Sequence, residues 1–358
     1  ISPAIYMSST FTHPGLGETT GFQYTRESNP TRDRLETLIA GLEEGTDAIA
    51  FSSGMAAVDA VFHLFSPGDH VILGDDLYGG SIRLFTNIYE KNGVEFTYVG
   101  TSDLDAVQAA FKPNTKAVYI ETPTNPMMEI TDVRALSKMA HDRNALVIVD
   151  NTFLSPYFQK PLNLGADIVV HSGTKFIGGH HDVISGFTIV KDDELAAQLR
   201  LIYKTVGACL SAFDSWLVIR GVKTLALRME QHQKNAIALA EWLKNEPKVT
   251  KVLFPALPEH PGYEINKSQT TGFGGMLSFE VDSEETAKQV LEGIQLIQFA
   301  ESLGGTESLL TYPVTQTHPD LKPEDAERKG ITRRLLRLSV GIEDTDDLIA
   351  DLAQAFNK

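Results

Sequence analysis

The sequence predicts an α/β protein whose larger domain is a mostly parallel, seven-stranded β-sheet with helices on both faces. Short apolar runs rich in β-branched residues recur along the first half of the chain, and segments of helical period separate most of them. Chains that alternate in this way form parallel sheets whose ligands bind beyond the carboxyl ends of the strands. The predicted strands are 47–51, 71–73, 96–99, 117–120, 146–149, 168–170 and 187–190.

The chain is predicted to divide into an N-terminal arm over 1–30, a large domain over 31–225 and a smaller C-terminal α/β domain over 226–358. Roughly the first 25 residues look irregular, as in an arm that packs on a neighbouring subunit. Apolar residues recur about every 3.6 positions from 216 to 244, as in one long helix or a broken pair. New strand patterns at 275–281 and 336–340 then indicate a second sheet.

Composition argues against nucleic-acid and membrane partners. The 358 residues include 31 basic and 47 acidic side chains, and the formal charge of −16 repels phosphate backbones and anionic lipids. The single cysteine, Cys209, permits no disulfide within the chain and fits a reducing compartment, so we expect a cytoplasmic protein. The chain opens at Ile1 without an initiator methionine or a signal-peptide pattern, which suggests that residues upstream are missing.

Lys175 is the strongest candidate for a catalytic residue. It ends the run His171-Ser172-Gly173-Thr174-Lys175 after a buried-strand pattern, and Asp150 ends the preceding strand. Pyridoxal phosphate (PLP) requires a lysine amine for its aldehyde, donors such as Ser172 and Thr174 for its phosphate, and an acid that keeps its pyridine nitrogen protonated. A lysine after a strand is usually a solvated surface charge. The prediction therefore depends on the residues around Lys175 and not on the lysine alone.

Three further loops at strand ends supply candidate contacts. The turn 52–57 contains Ser53, Gly54 and Met55 and begins a helical pattern, so its free backbone N–H groups can cradle a phosphate. Tyr78 on a glycine-rich turn can stack on a cofactor ring, and Asn125 in a proline-punctuated loop can donate to a phenolate oxygen. Taken alone, the turn 52–57 is equally well explained as an ordinary strand–helix turn, and Tyr78 and Asn125 are better explained as ordinary turn residues.

Neither a metal site nor a P-loop is expected. The loop 178–182 contains the potential metal ligands His180, His181 and Asp182. Adjacent histidines on an extended turn tend to point apart, however, and no further cluster of metal ligands is evident. A nucleotide-binding P-loop is excluded because Lys175 follows the hydroxyl residue instead of preceding it.

Taken together, these segments resemble the Cys/Met-metabolism family of PLP-dependent enzymes, which has fold type I. The resemblance runs nearly end to end, and its motifs occur in the family's order and spacing. The motifs are Tyr24-Thr25-Arg26 through Asn29-Pro30-Thr31, the Ser-Ser-Gly-Met turn at 52–55, Tyr78-Gly79-Gly80, the loop 121–126, Asp150-Asn151-Thr152 and 172–175.

The resemblance implies a role for each matching residue. Lys175 is expected to bind the PLP aldehyde covalently and, with Tyr78, to move protons during catalysis, while Asp150 pairs with the pyridine nitrogen. The other expected cofactor contacts are Tyr24, Arg26, Ser53, Gly54, Met55, Tyr78, Asn125, Thr152, Ser172 and Thr174. The expected substrate contacts are Arg83, Asn125, Glu301, Ser302 and Arg337, of which Arg337 matches the arginine that clamps the α-carboxylate.

The resemblance also implies an oligomer. Tyr24 and Arg26 are expected to reach the phosphate of a neighbouring subunit, so a homodimer or homotetramer with shared active sites follows. Two positions depart from the pattern of many relatives, Gly173 in place of alanine and His181 in place of serine, and neither removes a catalytic group.

Among the family's reactions, the resemblance favours γ-replacement or γ-elimination on O-acyl-homoserine or cystathionine. Glu301 is typical of γ-acting members, and Gly80 stands where methionine γ-lyases carry a cysteine. The segments 151–156 and 212–215 look closer to bacterial γ-synthases. We therefore expect a cystathionine γ-synthase or γ-lyase, with the synthase favoured. Cystathionine β-lyase and O-acylhomoserine sulfhydrylase remain alternatives, since these enzymes share one machinery.

Two rivals lie outside that group. A non-catalytic binding protein of the same fold is disfavoured because every expected reactive group is present. The second rival is an aminotransferase of the same fold type. It is distinguished by a simple observation, because a keto acid would regenerate its cofactor.

Overall fold

The computed structural model describes residues 1–318 and 323–357, so residues 319–322 and Lys358 of the predicted smaller domain lie outside the described residues. The first sheet has seven strands in the order β1-β7-β6-β5-β4-β2-β3. They are β1 (Asp47–Phe51), β2 (His70–Gly74), β3 (Glu95–Val99), β4 (Thr115–Glu121), β5 (Leu146–Asp150), β6 (Ile168–Ser172) and β7 (Gly186–Val190). Each strand predicted from the sequence is present.

The sheet is mostly parallel, as predicted. Strands β3, β2, β4, β5 and β6 pair in parallel, and β7 pairs antiparallel with both β6 and β1. Because the direction reverses twice, β1 runs the same way as β6. The carboxyl ends of β1, β2, β4, β5 and β6 therefore meet at one edge of the sheet.

Helices cover both faces of this sheet, because successive strand side chains point to opposite sides. Val147 and Val149 lie in one hydrophobic core with helix α1, while Ile148 lies in another with α2. The helices are α1 (Pro30–Glu43), α2 (Gly54–Phe62), α3 (Gly79–Leu84, continued by a π-helical turn Phe85–Tyr89), α4 (Leu104–Ala110), α5 (Val133–His141), α6 (Ser155–Phe158, followed by a 3₁₀ turn Pro161–Asn163), α7 (Asp193–Val206), α8 (Ala212–Val222) and α9 (Leu225–Lys244).

The helical pattern over 216–244 forms a broken pair: α8 ends at Val222 and α9 begins at Leu225. Beyond α9 a second sheet has the order β10-β11-β12-β9-β8. Its elements are β8 (Val249–Leu253), α10 (Tyr263–Gln269), β9 (Met276–Val281), α11 (Glu284–Gly293), β10 (Gln298–Phe299), β11 (Leu309–Thr311), α12 (Pro323–Arg328), β12 (Leu335–Ser339) and α13 (Thr345–Phe356).

The second sheet has its own core, which includes Leu239 of α9, Phe279 of β9 and Leu352 of α13. Another apolar cluster, containing Phe176, Met229 and Met276, joins the two sheets. Among the described helices, none has both the length and the apolar composition needed to span a membrane. The predicted division near residue 225 stays a prediction.

Candidate active site

A cavity of about 540 Å³ lies at the carboxyl edge of the first sheet, where the second sheet packs against it. All of the predicted site residues except Tyr24 and Arg26 line it. They are Ser53, Gly54, Met55, Tyr78, Arg83, Asn125, Asp150, Thr152, Ser172, Thr174, Lys175, Glu301, Ser302 and Arg337. The fold therefore brings together residues that lie up to 284 positions apart in the chain, from Ser53 to Arg337.

Lys175 lies in the loop after β6, and its Nζ donates to Ser302 Oγ at 2.8 Å. Within the described part of the chain it forms no ion pair with a carboxylate. Burial, together with the charge of Arg337, lowers the pKa of Lys175 to about 8, while Glu301 acts in the opposite direction. A substantial fraction of this amine is therefore neutral near physiological pH, as a nucleophilic lysine requires.

Asp150 ends β5 with one oxygen fixed and the other available. Thr152 donates to Asp150 Oδ1 from its backbone N–H at 3.0 Å and from its hydroxyl at 2.5 Å. Among the described residues, Asp150 Oδ2 receives only a long 3.5 Å contact from the Tyr119 hydroxyl. Thr152 Oγ1 also accepts from the backbone N–H of Ser172 at 2.9 Å, which ties the ends of β5 and β6 together.

Tyr78 directly precedes α3, and its backbone is held by Glu121, a buried acid beside Asp150. Its backbone N–H donates to Glu121 Oε1 at 2.8 Å, while its side chain stays 44% exposed, with the ring at the cavity. Burial raises the pKa of Glu121 well above its usual range, and the neighbouring Asp150 carboxylate adds to this effect. A Cβ atom on Gly80 would lie 2.4 Å from Tyr78 Cε1, so a side chain at that position would displace the ring.

The first turn of α2 approaches Ser172 closely. A Cβ atom on Gly54 would lie 2.9 Å from Ser172 Cβ, so only glycine lets the turn come this near. Ser53 caps α2, with its hydroxyl accepting from the N–H of Ala56 at 3.0 Å. The remaining N–H groups of the turn are left for an anion at the positive end of the helix dipole.

Arg337, in the middle of β12, is buried and held from three sides. Its Nη1 donates to Asn125 Oδ1 at 2.8 Å, and its Nη2 donates to the Ser302 carbonyl at 2.9 Å and to Thr311 Oγ1 at 3.2 Å. Its Nε has no hydrogen-bond partner in the described part of the structure. Burial lowers the pKa of Arg337 to about 10, so the guanidinium stays charged at neutral pH. An anchored cation with a free donor can bind a carboxylate.

A wider recess of about 690 Å³ adjoins the cavity and shares Thr174, Ile184, Glu301 and Ser302 with it. His181 also lines this recess, and its Nε2 lies 3.8 Å from Glu307 Oε2. No group of three potential metal-binding side chains comes together among the described residues.

The whole chain matches one family. Residues 1–357 match the model of the Cys/Met metabolism PLP-dependent enzymes. The chain belongs to this family. It is therefore a PLP-dependent enzyme, of a family of carbon–sulfur lyases and transferases.

Relatives in the family carry three different names. The chain is 50% identical to a cystathionine gamma-synthase of Haemophilus influenzae, over 99% of this chain and 92% of that protein. It is 48% identical to a cystathionine beta-lyase of Lactococcus lactis subsp. cremoris, over 100% and 94%. A solved cystathionine gamma-lyase from Lactobacillus plantarum, complexed with L-serine, superposes with a TM-score of 0.97 at 47% identity, over 99% and 93%.

The side chains of this Cys/Met-metabolism enzyme fit its cofactor. The Gly54 turn leaves room that a Cβ atom would fill, and Asp150 Oδ2 lacks a strong donor. Lys175 offers an amine whose hydrogen-bond partner is the Ser302 hydroxyl and which pairs with no carboxylate among residues 1–318 and 323–357. These three groups suit the phosphate, the pyridine nitrogen and the aldehyde of PLP, respectively.

Tyr24 and Arg26 do not reach the cavity of their own chain. The Arg26 guanidinium donates to the carbonyl of Lys204 and lies 5.4 Å from the Tyr24 ring, which is 46% exposed. Their predicted contact with the site of a neighbouring subunit stays a prediction.

Sequence reasoning did not single out several residues that line the cavity. Glu121 pairs in register with Asp150 at the end of the neighbouring strand, so its strand-end position was a usable signal. Gln316 and Thr317 enter from the loop after β11, and no sequence pattern marks them.

Proposed function

We propose that this enzyme catalyses γ-replacement or γ-elimination on O-acyl-homoserine or cystathionine, with cystathionine γ-synthase activity favoured over γ-lyase activity. The observation that carries the proposal is the buried amine of Lys175, which lies between Ser302 and the Asp150 strand end, with Arg337 anchored beside it. PLP, when bound, supplies the electron sink for carbanion chemistry.

The residues of the chain would divide the work as follows. Asp150 would hold the pyridine nitrogen in its protonated form, and the α2 turn and Ser172 would bind the phosphate. Arg337 would bind the substrate α-carboxylate through its free Nε, oriented by Asn125. Lys175 would take the proton from Cα, since a substantial fraction of its amine is neutral near physiological pH. Tyr78, whose backbone is held by Glu121, would share the later transfers.

Two features bear on the choice of substrate. Glu301 lies where the cavity meets the adjoining recess, so a substrate as long as cystathionine can extend past it. Gly80 leaves no room for the cysteine of methionine γ-lyases unless the Tyr78 ring moves. Cystathionine β-lyase is the second candidate, because a named β-lyase is as similar to this chain as the other relatives are.

The deciding experiment is product identification by mass spectrometry. Purified enzyme would receive L-cystathionine alone, and separately an O-acyl-homoserine with cysteine. Rapid cystathionine formation in the second assay, with little turnover in the first, supports the synthase. Formation of 2-oxobutyrate and cysteine from cystathionine supports the γ-lyase. Pyruvate and homocysteine would overturn the γ assignment and support the β-lyase.

We also propose a homodimer or homotetramer in the cytoplasm. The N-terminal arm exposes large apolar side chains, among them Tyr6, Met7 and Leu16, as expected of a segment that packs on another subunit. The single cysteine fits a reducing compartment.

A further inference from the structure

The peptide unit between Leu77 and Tyr78 is held on both of its polar sides. Its N–H donates to Glu121 Oε1 at 2.8 Å. Its carbonyl oxygen lies 3.3 Å from Nε2 of His318, a buried residue of the loop after β11. Glu121 ends β4 of the first sheet, so segments from both sheets meet at this one peptide. We call Glu121, His318 and the peptide between them the Tyr78 clamp.

The hydrogen bonds of His318 determine which ring nitrogen carries its proton. A neutral imidazole has one donor nitrogen and one acceptor nitrogen. Nε2 must donate, because it faces the Leu77 carbonyl oxygen, which can only accept. Nδ1 then accepts from the Thr317 hydroxyl at 2.8 Å. Burial lowers the pKa of His318 to about 4, so the ring is neutral at physiological pH and both hydrogen bonds persist there.

A close backbone contact supports the same placement of the loop. A Cβ atom on Gly79 would lie 2.5 Å from the carbonyl oxygen of Thr317, so glycine lets the loop lie directly against the turn that carries Tyr78. The loop is closed by a hydrogen bond from the His318 N–H to the Pro313 carbonyl at 2.9 Å. The clamp therefore joins two packed segments of the cavity wall, since Tyr78 and Thr317 both line the cavity.

The position of the Tyr78 ring depends on this backbone. The side chain is 44% exposed and lies at the cavity, so neighbouring side chains enclose it only in part. The peptide planes and backbone angles of a residue set the direction of its Cα–Cβ bond and the rotamers that it can adopt. A fixed peptide before Tyr78 therefore restricts where the ring can lie.

We propose that His318 is a positioning residue that, together with Glu121, holds the Leu77–Tyr78 peptide and so keeps the Tyr78 ring where it can contact PLP. This inference rests on the proposed contact of Tyr78 with the cofactor. His318 does not itself line the cavity, so it acts on the cofactor site through Tyr78.

The test reads the ring directly, with 3-fluorotyrosine incorporated at position 78 and ¹⁹F NMR of the apoenzyme. His318→Leu removes the donor to the Leu77 carbonyl, so we expect it to shift or broaden the ¹⁹F resonance. It should also raise the PLP dissociation constant about fivefold, the change that the loss of one neutral hydrogen bond produces. His318→Gln places an amide nitrogen near the position of Nε2 and should largely restore both readouts.

His70→Leu is the matched control. His70 is a buried histidine at the other end of β2, where its ring is bonded to Thr97 and Thr115. The control should leave the ¹⁹F resonance and the PLP affinity as in the wild type, even where it lowers thermal stability. A wild-type resonance in folded His318→Leu would overturn the proposal, and so would equal changes in His318→Leu and His70→Leu.

Two further variants keep the outcomes separate. If His318→Leu does not fold, His318→Asn decides in its place, because its shorter side chain cannot reach the Leu77 carbonyl. Unchanged PLP affinity in Tyr78→Ala would mean that the proposed contact of Tyr78 with PLP fails, while the ¹⁹F resonance still decides on the clamp. If Tyr78→Ala weakens PLP binding and His318→Leu weakens it further in that background, His318 does not act through Tyr78 and the proposal is refuted.

Discussion

At the scale of single residues, burial prepares Lys175 and Arg337 for opposite tasks. It brings the pKa of the Lys175 amine down to about 8, where neutral and charged forms coexist near physiological pH. The same burial lowers the pKa of Arg337 only to about 10, so the guanidinium keeps its charge. Ser302 joins them, because its hydroxyl accepts from Lys175 and its carbonyl accepts from Arg337.

The lowered pKa of Lys175 predicts that the free energy of unfolding of the apoenzyme depends on pH. The unfolded chain binds a proton on this lysine up to pH 10.5, whereas the folded chain releases it at about pH 8. The stability of the wild-type apoenzyme relative to Lys175→Met should therefore rise between pH 8 and 10.5, by roughly 2 to 3 kcal/mol. Urea unfolding of both apoproteins from pH 7 to 10 measures this difference.

The matched control is Lys116→Met, which removes a solvent-exposed lysine from β4. Its free energy of unfolding should follow the wild-type pH profile. A constant difference between wild type and Lys175→Met across the same pH range would contradict the assigned burial of the amine.

Arg337→Lys should weaken substrate binding more than it slows turnover. Lysine cannot reproduce the planar fork that bonds Asn125 and Ser302 while leaving Nε for a carboxylate. Charge-assisted hydrogen bonds contribute about 1.5 to 3 kcal/mol, so KM should rise on the order of 10- to 100-fold. Steady-state kinetics with the substrate that the product-identification assay selects checks this. Arg334→Lys, which changes an exposed arginine paired with Glu280, should leave KM unchanged.

At the scale of elements, the site depends on strand ends that meet at one edge. The parallel strands β4, β5 and β6 end side by side at Glu121, Asp150 and Ser172. Strand β1 runs in the same direction as β6, so the α2 turn that follows β1 lies at the same edge of the sheet. The turn comes close to β6 because Gly54 lacks a side chain. The proposed phosphate site is therefore formed by two segments, the α2 turn and the end of β6, that lie more than one hundred residues apart in the chain.

Gly54→Ala should weaken PLP binding while leaving the protein folded. The new Cβ would lie 2.9 Å from Ser172 Cβ and 3.1 Å from Ser172 Cα, so the turn must move away from the proposed phosphate position. We expect the PLP dissociation constant of the apoenzyme to rise at least about tenfold, the equivalent of about 1.4 kcal/mol. Fluorescence titration with PLP measures it.

Gly41→Ala in α1 is the comparison, because a Cβ there meets nothing within 4 Å. It should keep PLP affinity and leave the free energy of unfolding equal or slightly higher. Unchanged affinity in Gly54→Ala would show that the turn does not hold the phosphate.

At the scale of the whole molecule, the cavity is closed by two sheets that approach from opposite sides. Lys175 and Asn125 come from segments around the first sheet, while Ser302 and Arg337 come from the second, and two hydrogen bonds join them across the interface. Ser278 of β9 adds a third, donating to the carbonyl of Pro126 at 2.7 Å. The proposed substrate contacts therefore depend on how the two sheets pack together.

The proposed sharing of sites between subunits predicts complementation. Pure oligomers of either Arg26→Ala or Lys175→Ala should be nearly inactive. The first variant lacks the proposed phosphate contact to the neighbouring subunit, and the second lacks the catalytic amine. After unfolding and refolding of the mixture, a mixed dimer contains one site with an intact Lys175 and an intact Arg26 from the other chain. Activity should then recover to about one quarter of the wild-type value, on the order expected from random pairing of dimers.

One control completes this experiment. Sedimentation analysis of the separate variants should show that each remains oligomeric. Recovery that is absent from the refolded mixture, although mixed oligomers form, would mean that Arg26 serves only its own chain.

The sequence alone predicted most of the first sheet but less of the second. The seven strands of the first sheet were marked by buried β-branched runs, and β9 and β12 carried the same signal. The strands β8, β10 and β11 were missed. The first has two exposed residues, the second has only two residues, both exposed, and the third has three, so none shows a readable period.

What the sequence by itself determined is the chemistry: a lysine, an acid and a glycine turn at strand ends, in the order and spacing of one family. Local composition can do this, because strand ends and turns are encoded by neighbouring residues. Only the tertiary structure decided that Glu121 holds Tyr78, that Ser302 bridges Lys175 and Arg337, and that Glu43 lies against His171. These contacts join residues far apart in the chain, and no local pattern records such pairs, since they arise from the packing of helices and sheets.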